Sequence, residues 1–347
     1  MALQELNDRE RRVLEAVIQT YVETAEPAGS RMLSHRCNLG VSAATIRNTM
    51  SDLEEKGFLF HPHASAGRVP TDKAYRHYVD SLAHMAPLVA GERERLAEEI
   101  AGAGFAIEAI LRRAAQSLGV LTQELGVALG PQLDDIVLER LELVRVTHER
   151  VLVVLSLQGG TLRTVFVEAR APIADDALAH VAVVLNERLA GLRLGTIRSS
   201  VSERLRDTPA GGPGAGELLN IFVQEGDQLF DVPLAGGESL LLGQASVLAE
   251  QPEFASNENL RRLMELTETR QQLAEMLRRR AAVSGLSITI GNEHGDPRLE
   301  RFTLVTSEYR VGRLTGLIGV IGPTRMPYDK VIAMVHHTSQ LLTELLD

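Results

Sequence analysis

A short run of polar side chains has the residue types and spacing of a surface that contacts DNA. Its members carry hydroxyl, guanidinium and amide groups: Ser42, Thr45, Arg47, Asn48 and Ser51. Between them, Ile46, Met50 and Leu53 recur at i, i+4 and i+7, which predicts the buried face of an amphipathic helix. Such a helix has a packed back and a short polar front, the shape that a DNA major groove accepts.

Arg47 and Asn48 are the strongest candidates for reading DNA on this helix. A guanidinium can bind guanine O6 and N7 or a phosphate, and a carboxamide can pair with adenine or a phosphate. Ser42 is placed to cap the helix, and Thr45 lies in its first turn, where anions are favoured. Gly57 predicts the end of the helix. A structural helix with a solvated polar face is the competing interpretation of this segment alone.

The residues before this helix predict two more. Asn7 and Glu10 have the spacing of a capping box, and an apolar stripe follows over residues 7–22. A second, short helix begins after Pro27, and its opening residues offer backbone N–H groups and a positive charge to a phosphate: Gly29, Ser30 and Arg31. Three closely spaced helices, the last with an exposed polar face, are typical of a helix-turn-helix.

The residues after Gly57 predict a wing. A short strand pattern over 58–60 is followed by a loop over 61–70 and a helix over 72–82. Small residues let the loop approach a phosphate backbone, and its contacts are expected from three side chains, with the arginine at the tip: His63, Ser65 and Arg68. The spacing of its two histidines is too short to indicate a metal site. Residues 1–85 are therefore predicted to form a winged helix-turn-helix domain.

The distribution of charge agrees with a DNA contact at one end of an acidic protein. The 347 residues carry a net charge of -10, which by itself argues against a nucleic-acid partner. Residues 28–79, however, hold seven lysines and arginines against four acidic residues, a net charge of +3. Cys37 is the only cysteine, and no apolar run approaches the roughly 18 residues of a membrane helix. We therefore expect a cytoplasmic protein without disulfides or membrane spans.

The rest of the chain predicts one α+β domain interrupted by an insertion. Charged residues with several glycines indicate a linker over 86–104. Helices are predicted at 105–126, 174–190, 257–281 and 327–346. Strands are predicted on both sides of a long helical region, at 136–146, 150–157, 161–168, 286–291, 301–309 and 314–321. The insertion is expected over 192–282.

Two groups of residues near opposite ends of the chain form distinctive motifs. The first contains Thr45-Ile46-Arg47-Asn48, Asp52-Leu53-Glu54, Pro62-His63, Ser65-Ala66-Gly67-Arg68, Pro70-Thr71-Asp72-Lys73 and Tyr75-Arg76. The second contains Gly319-Val320-Ile321-Gly322-Pro323-Thr324-Arg325-Met326, Tyr328 and Lys330-Val331-Ile332. Both motifs, and nearly the whole chain in order, resemble the heat-inducible transcription repressor family HrcA.

The resemblance implies an α+β protein of three domains. A winged helix-turn-helix domain precedes a discontinuous GAF-like domain (105–191 and 283–347), into which a dimerisation domain (192–282) is inserted. Members of the family repress chaperone operons of the groE and dnaK type by binding an inverted-repeat operator called CIRCE. The resemblance therefore implies double-stranded DNA, a second copy of the chain and the chaperonin GroEL as partners. It also implies release of DNA on heat stress. The residues themselves indicate no cofactor and no catalysis.

Two other functions stay open from the sequence. A GAF-like domain can bind a small molecule, so the chain could be a winged-helix repressor that senses an effector. Its interior of Val, Leu and Ile favours a packed scaffold over a polar pocket. A winged helix can also serve as a protein-interaction scaffold, against which Arg47, Arg68 and the basic patch speak. An enzyme is not indicated, because the glycine-rich segment 208–216 lacks the Lys-Ser/Thr of a phosphate-binding loop.

Overall fold

The computed structural model describes residues 6–63, 66–82, 90–101, 107–131, 134, 136–158, 161–169, 172–208, 214–230, 240–268, 270–281, 285–312 and 314–346. The chain divides into two compact units. The first contains Met1–Gly130 together with Leu240–Asp347, and the second contains Pro131–Ser239. Among the described residues, every helix is too short or too polar to span a membrane.

The N-terminal part of the first unit contains four helices and a two-stranded antiparallel sheet. In chain order the elements are α1 (Asp8–Thr24), α2 (Ser30–Arg36), α3 (Ala43–Glu55), β1 (Leu59–Phe60), β2 (Val69–Pro70) and α4 (Asp72–Ser81). β1 pairs with β2, with Leu59 opposite Pro70. The segment 59–70 is hereafter the β1–β2 hairpin. The predicted helices in this region and the short strand at its expected place are confirmed.

Local side-chain chemistry determines where these helices begin and end. The Asn7 side chain accepts a hydrogen bond from the Glu10 N–H, and the Glu10 carboxylate accepts one from the Asn7 N–H, each at 3.0 Å. The predicted capping box of α1 is therefore confirmed. Ser42 Oγ accepts a hydrogen bond from the Thr45 N–H at 3.2 Å and caps α3. Gly57 has a φ of +77°, which glycine adopts without steric cost just beyond a helix.

After α4 the chain alternates between helices and strands. The elements are α5 (Ala90–Ala101), α6 (Ile107–Thr122), β3 (Leu125–Leu129), β4 (Leu138–Arg145), β5 (Arg150–Leu157), β6 (Thr161–Glu168), α7 (Asp175–Leu189), α8 (Leu194–Leu205), α9 (Ala215–Leu229), β7 (Leu240–Leu242), α10 (Ser246–Ala249), α11 (Asn257–Glu268), α12 (Arg270–Ala281), β8 (Leu286–Ile290), β9 (Phe302–Val311), β10 (Leu314–Pro323) and α13 (Tyr328–Leu346). Short 3-10 helices lie at Pro252–Phe254 and Gly291–His294.

A five-stranded antiparallel sheet, ordered β7-β3-β10-β9-β8, forms the centre of the rest of the first unit. Helices cover both of its faces. Ala128 and Ile318 pack in one cluster with residues of α6 and α13, whereas Val127 and Leu317 pack in another with residues of α11 and α12. Strands β3 and β10 are buried at almost every position on both faces, so they carry almost no polar side chains instead of alternating. The α+β class predicted from the sequence is confirmed.

The structure corrects the expected helix at 105–126 and, with it, the domain boundaries. α6 ends at Thr122, and residues 125–129 form β3, which pairs with β10 and β7. Strands β4, β5 and β6 pair only with one another among the described strands. The segment that leaves the first unit is therefore Pro131–Ser239, not 192–282. A short apolar run does not distinguish a helix end from a strand buried on both faces, which explains the error.

One further segment differs from its prediction. α5 lies inside the expected linker over 86–104 and buries Leu96 and Ile100 in the same cluster as α6. The predicted long helix over 257–281 is confirmed over Asn257–Glu268 and Arg270–Ala281, and residue 269 lies outside the described residues. Leu263 and Leu277 on these helices pack against the five-stranded sheet, within the first unit.

The second unit is built on the three-stranded antiparallel sheet β4-β5-β6 and helices α7, α8 and α9. α7 packs against β4. Along β5 the side chains alternate strictly: Val151, Val153 and Leu155 are buried, and the residues between them are partly exposed. One face of this sheet is therefore covered, and the other is open among the described residues.

Candidate nucleic-acid interface

Helix α3 presents a continuous exposed face at the surface of the first unit. Its buried face consists of Ile46, Thr49, Met50 and Leu53, which pack against α1 and α2. The opposite face follows the i, i+3, i+4, i+7 spacing of a helix and carries Ala44, Arg47, Asn48 and Ser51. Ser42 and Thr45 lie at the start of the helix, with their hydroxyl oxygens 3.0 Å apart. The structure thus brings together the five residues predicted on this helix.

The side chains of Arg47 and Asn48 are exposed, and within the described residues neither has a hydrogen-bond or ion-pair partner. The hydroxyl of Ser51, in contrast, donates to the Arg47 carbonyl at 3.2 Å and accepts from Arg68 at 2.9 Å. Arg47 and Asn48 therefore keep their full donor and acceptor capacity for an external molecule. Ser51 instead links α3 to Arg68 of the hairpin.

Arg68 is not at the exposed tip of the hairpin, where the sequence predicted it. Its side chain is only 11% exposed, and its guanidinium binds the Glu54 carboxylate at 2.9 Å and Ser51 on α3. Its backbone forms a two-bond bridge with Ala28, each bond 2.9 Å long. The carboxylate of Glu54 and the Ala28 bridge draw the arginine inward, so Arg68 fastens the β1–β2 hairpin to α3.

Glu54 is the electrostatic centre of this attachment. One carboxylate oxygen lies 2.7 Å from His61 Nδ1, and the other accepts a hydrogen bond from Arg68. The hydrogen bond from His61, and then Arg68, lower the pKa of Glu54 below its ordinary value. A carboxylate that stays ionised is thus shared by two residues of the hairpin. Sequence reasoning missed Glu54, whose only signal was its place in a motif.

Close backbone packing holds the hairpin on its other side. A Cβ atom at Gly67 would lie 2.4 Å from the Ala28 carbonyl oxygen, closer than real Cβ atoms approach, so only glycine fits here. Gly29, the N-cap residue of α2, follows Ala28 directly. Ser30 and Arg31 are the first two residues of α2, and Arg31 is exposed. The hairpin is therefore packed beside the predicted phosphate-contacting residues of α2.

Of the two remaining predicted wing residues, the structure describes one. His63 is exposed in the hairpin, and Ser65 lies outside the described residues. The basic segment 28–79 also offers less free positive charge than its composition suggests, because four of its seven lysines and arginines form ion pairs. These are Arg36 with Glu23, Lys56 with Glu10, Arg68 with Glu54, and Arg76 with Glu293. Within the described residues, Arg31 and Arg47 form none.

A second set of motif residues lies where the N-terminal part meets the five-stranded sheet. Arg76 on α4 binds both carboxylate oxygens of Glu293 and donates to the Ile288 carbonyl at 2.8 Å. Asp72, at the start of α4, accepts hydrogen bonds from the backbone and side-chain nitrogens of Asn292, at 3.0 and 3.1 Å. Both contacts join residues more than 200 positions apart, and both position α4.

Arg325, in the C-terminal motif, forms the third part of this contact. Its guanidinium binds both carboxylate oxygens of Glu253 and donates to the Val22 carbonyl near the end of α1 at 2.6 Å. The rings of Tyr75 on α4 and Tyr328 on α13 meet beside it, with centroids 5.6 Å apart. The two sequence motifs therefore meet in space. The residues of both motifs that form this contact hold α1 and α4 in place.

Among the described residues, no cluster of three or more histidine, cysteine, aspartate or glutamate side chains could hold a metal ion. His61, one of the two histidines in the hairpin, is engaged with Glu54. The candidate site is thus an exposed face of α3 on which Arg47 and Asn48 have no partner within the described residues. The β1–β2 hairpin is attached beside it.

Comparisons with known proteins agree with these observations. A family model described as the HrcA protein C terminal domain matches residues 108–332. Proteins named heat-inducible transcription repressor HrcA are 39% identical in Chlorobium phaeobacteroides (strain BS1), over 100% of both chains, and 37% identical in Geobacter sulfurreducens, over 99% of both. The crystal structure of a hypothetical protein at 2.2 Å resolution has the same fold, with a TM-score of 0.63 and 22% identity over 99% of both chains. The chain belongs to the HrcA family of heat-inducible transcription repressors.

Proposed function

We propose that this chain represses chaperone operons of the groE and dnaK type by binding an inverted-repeat operator of the CIRCE kind. The observation that carries the proposal is the exposed face of α3, on which Arg47 and Asn48 have no partner within the described residues. Three helices followed by a two-stranded hairpin are the elements of a winged helix-turn-helix, and α3 is its recognition helix. Arg47 and Asn48 read base edges in the major groove, and Ser42, Thr45 and Arg31 contact phosphates.

The hairpin contributes to this interface through His63 and Ser65, and Arg68 contributes by holding the hairpin against α3. The backbone N–H groups at Gly29 and Ser30 add a phosphate contact at the start of α2. Each repressor chain thus presents one base-reading helix and two backbone-contacting segments.

A second copy of the chain completes the operator-binding form, because an inverted repeat has two-fold symmetry. The open face of the β4-β5-β6 sheet is a suitable contact surface. Val144, Leu152 and Phe166 lie side by side across the three strands on this face, and Leu162 lies further along β6. Phe166 and Leu162 are 52% and 62% exposed, which is unusual for large apolar side chains that are grouped together.

The dimer is tested by charging this face. We expect Leu162→Asp to convert a dimer into a monomer in light scattering coupled to size-exclusion chromatography, and to weaken operator binding at the same time. Leu345→Asp, at a 47% exposed leucine of the first unit, is the matched control and should leave the mass unchanged. A Leu162→Asp protein that stays dimeric would place the dimer contact elsewhere.

The heat response is a shift in population. Folded dimer binds the operator, and warming or loss of the chaperonin GroEL depletes that form. A change of about 1–2 kcal/mol in the free energy of unfolding alters the folded fraction severalfold, so a marginally stable repressor can respond over a narrow temperature range. Adding GroEL to the purified protein should raise the fraction that binds DNA, and an unchanged fraction would count against this partner.

A gel-shift titration tests the whole proposal. A duplex with a CIRCE-type inverted repeat is compared with a scrambled duplex of the same composition, at a growth temperature and at a heat-shock temperature. We expect tight binding to the repeat alone and loss of binding at the higher temperature. Equal affinity for both duplexes at both temperatures would exclude a sequence-specific repressor.

A further inference from the structure

A pocket of about 470 Å³ opens within the first unit, between the β1–β2 hairpin and the five-stranded sheet. Its walls come from both sides of that junction. The hairpin and α4 contribute Phe60, Val69, Pro70, Thr71, Asp72 and Tyr75. The sheet and its connections contribute Phe254, Asn259, Asn292, Glu300, Arg301, Phe302, Pro323, Thr324 and Arg325, among others. Its size is that of a site for a small organic molecule.

Five aromatic side chains line the pocket: Tyr21, Phe60, Tyr75, Phe254 and Phe302. Phe254 and Phe302 are stacked with their ring centroids 5.8 Å apart, at an angle of 27°. Phe60 on β1 is 44% exposed, and Tyr21 on α1 is half-buried. An exposed phenylalanine beside an open cavity is poorly accounted for by folding alone. These rings favour a flat, apolar ligand body.

Four charged groups in the wall form ion pairs, whereas Asp72 and Arg301 are bonded to neutral amides. Asp72 accepts two hydrogen bonds from Asn292, Glu253 is bound by Arg325, and Arg262 lies 3.4 Å from Glu300. Arg301 has an amide partner, Asn259 Oδ1, at 3.0 Å, and no carboxylate partner within the described residues. Arg301 is exposed, and among the described residues its guanidinium is bonded only to a neutral amide, so it can still bind an anionic group of a ligand.

One buried polar atom of a lining residue is also unsatisfied. The hydroxyl of Tyr75 is buried and has no hydrogen-bond partner among the described residues. A buried hydroxyl without a partner is costly to the folded protein, and a polar atom of a bound molecule would satisfy it. This group is independent of Arg301, so two separate observations indicate a ligand with polar atoms.

We propose that this pocket binds a small aromatic carboxylate, with its ring against Phe254, Phe302 and Phe60 and its carboxylate on Arg301. This binding site goes beyond the proposed repressor function and does not depend on it. The ligand touches the hairpin and the sheet at once.

The test uses 4-fluorobenzoate as the probe, observed by fluorine NMR of the ligand with the full-length protein and no DNA. We expect a Kd on the order of 1 mM, as is usual for a single-ring ligand. The neutral isostere 4-fluorobenzamide should bind about tenfold more weakly, because it lacks the charge that Arg301 attracts. An absence of wild-type binding up to about 10 mM, or equal binding of the two probes, would overturn the proposal.

Two variants locate the probe. Arg301→Gln should raise the Kd of 4-fluorobenzoate about tenfold, and Phe60→Ala should raise it severalfold. Both side chains are exposed, so both variants should fold. Arg310→Gln is the matched control and should leave the Kd unchanged. Arg310 is 68% exposed and lies on β9, which begins directly after Arg301. Equal Kd values for Arg301→Gln and Arg310→Gln would exclude this pocket as the site.

Discussion

Arg47 on α3 and Arg76 on α4 lie in the same N-terminal part of the chain, and both belong to family motifs. Their surroundings are opposite. Arg47 is exposed and has no partner within the described residues, whereas Arg76 binds Glu293 and the Ile288 carbonyl on the sheet side. An unpaired guanidinium keeps all its donors for an external anion, while a paired one fixes the geometry of its own protein.

Arg68, in the β1–β2 hairpin next to α3, is also a paired arginine. It was expected on the DNA side of the hairpin, but it is buried against Glu54 and Ser51. The N-terminal motif of this chain therefore mixes residues that face outward with residues that hold the outward-facing ones in place. Substitutions of the two kinds should therefore change different measured quantities.

The largest effect is expected at the outward-facing residue. Arg47→Ala should lower the affinity for a CIRCE-type duplex by about 100-fold or more, because a bidentate contact contributes about 1–3 kcal/mol and a dimer loses two. Binding to a scrambled duplex should change much less. Gel-shift titration measures both. Arg95→Ala, at an exposed arginine of α5, is the control, and an unchanged operator affinity of Arg47→Ala would remove this residue from the site.

The next effect should fall on stability. Arg325→Met removes the partner of Glu253 and the hydrogen bond to the Val22 carbonyl, and should lower the free energy of unfolding by about 3 kcal/mol. Urea denaturation measures it. Combining it with Glu253→Gln should restore part of the loss, since no unpaired carboxylate then remains. If Arg325→Met changes stability no more than Arg310→Met, the contact between the two motifs does not hold α1.

A substitution of Arg68 distinguishes a residue that attaches the hairpin to α3 from one that contacts DNA directly. Arg68→Ala should weaken operator binding about three- to tenfold and lower the free energy of unfolding by about 1–2 kcal/mol, because Glu54 and Ser51 lose their partner. The slope of binding against salt concentration should stay that of the wild type. A phosphate contact would instead make the slope shallower by about one counter-ion for each chain. Titrations at several salt concentrations therefore decide between the two roles.

The smallest effect is a gain in stability. Glu124 is buried beside Gln251, and burial raises its pKa well above the ordinary value. The folded protein then binds a proton that the unfolded chain releases, so stability falls as the pH rises above the ordinary pKa of glutamate. Glu124→Gln should raise the Tm by a few degrees at pH 8 and leave it nearly unchanged at pH 4. Exposed Glu139→Gln is the control, and an equal Tm change at both pH values would contradict the prediction.

Much of the local structure was predictable because it depends on short-range chemistry. The capping box of α1, the Ser42 cap and the glycine after α3 require only residues within one or two helical turns. Strands β4 to β6 and β8 to β10 were found from their apolar patterns. The segment Leu125–Leu129 was not, since a run that is apolar at every position has no period to reveal it. Without β3, the insertion was placed too late in the chain.

The sequence by itself determined the family, the helices and the outward face of α3, because motifs and the helical period are properties of residues close together in the chain. The tertiary structure decided which of the basic residues remain available. Glu54 pairs with Arg68 and Glu293 with Arg76, and the carboxylate of Glu293 comes from a distant segment. Whether a guanidinium is free or paired depends on which acid the fold brings within about 4 Å, and that distance is not written in the spacing of the sequence.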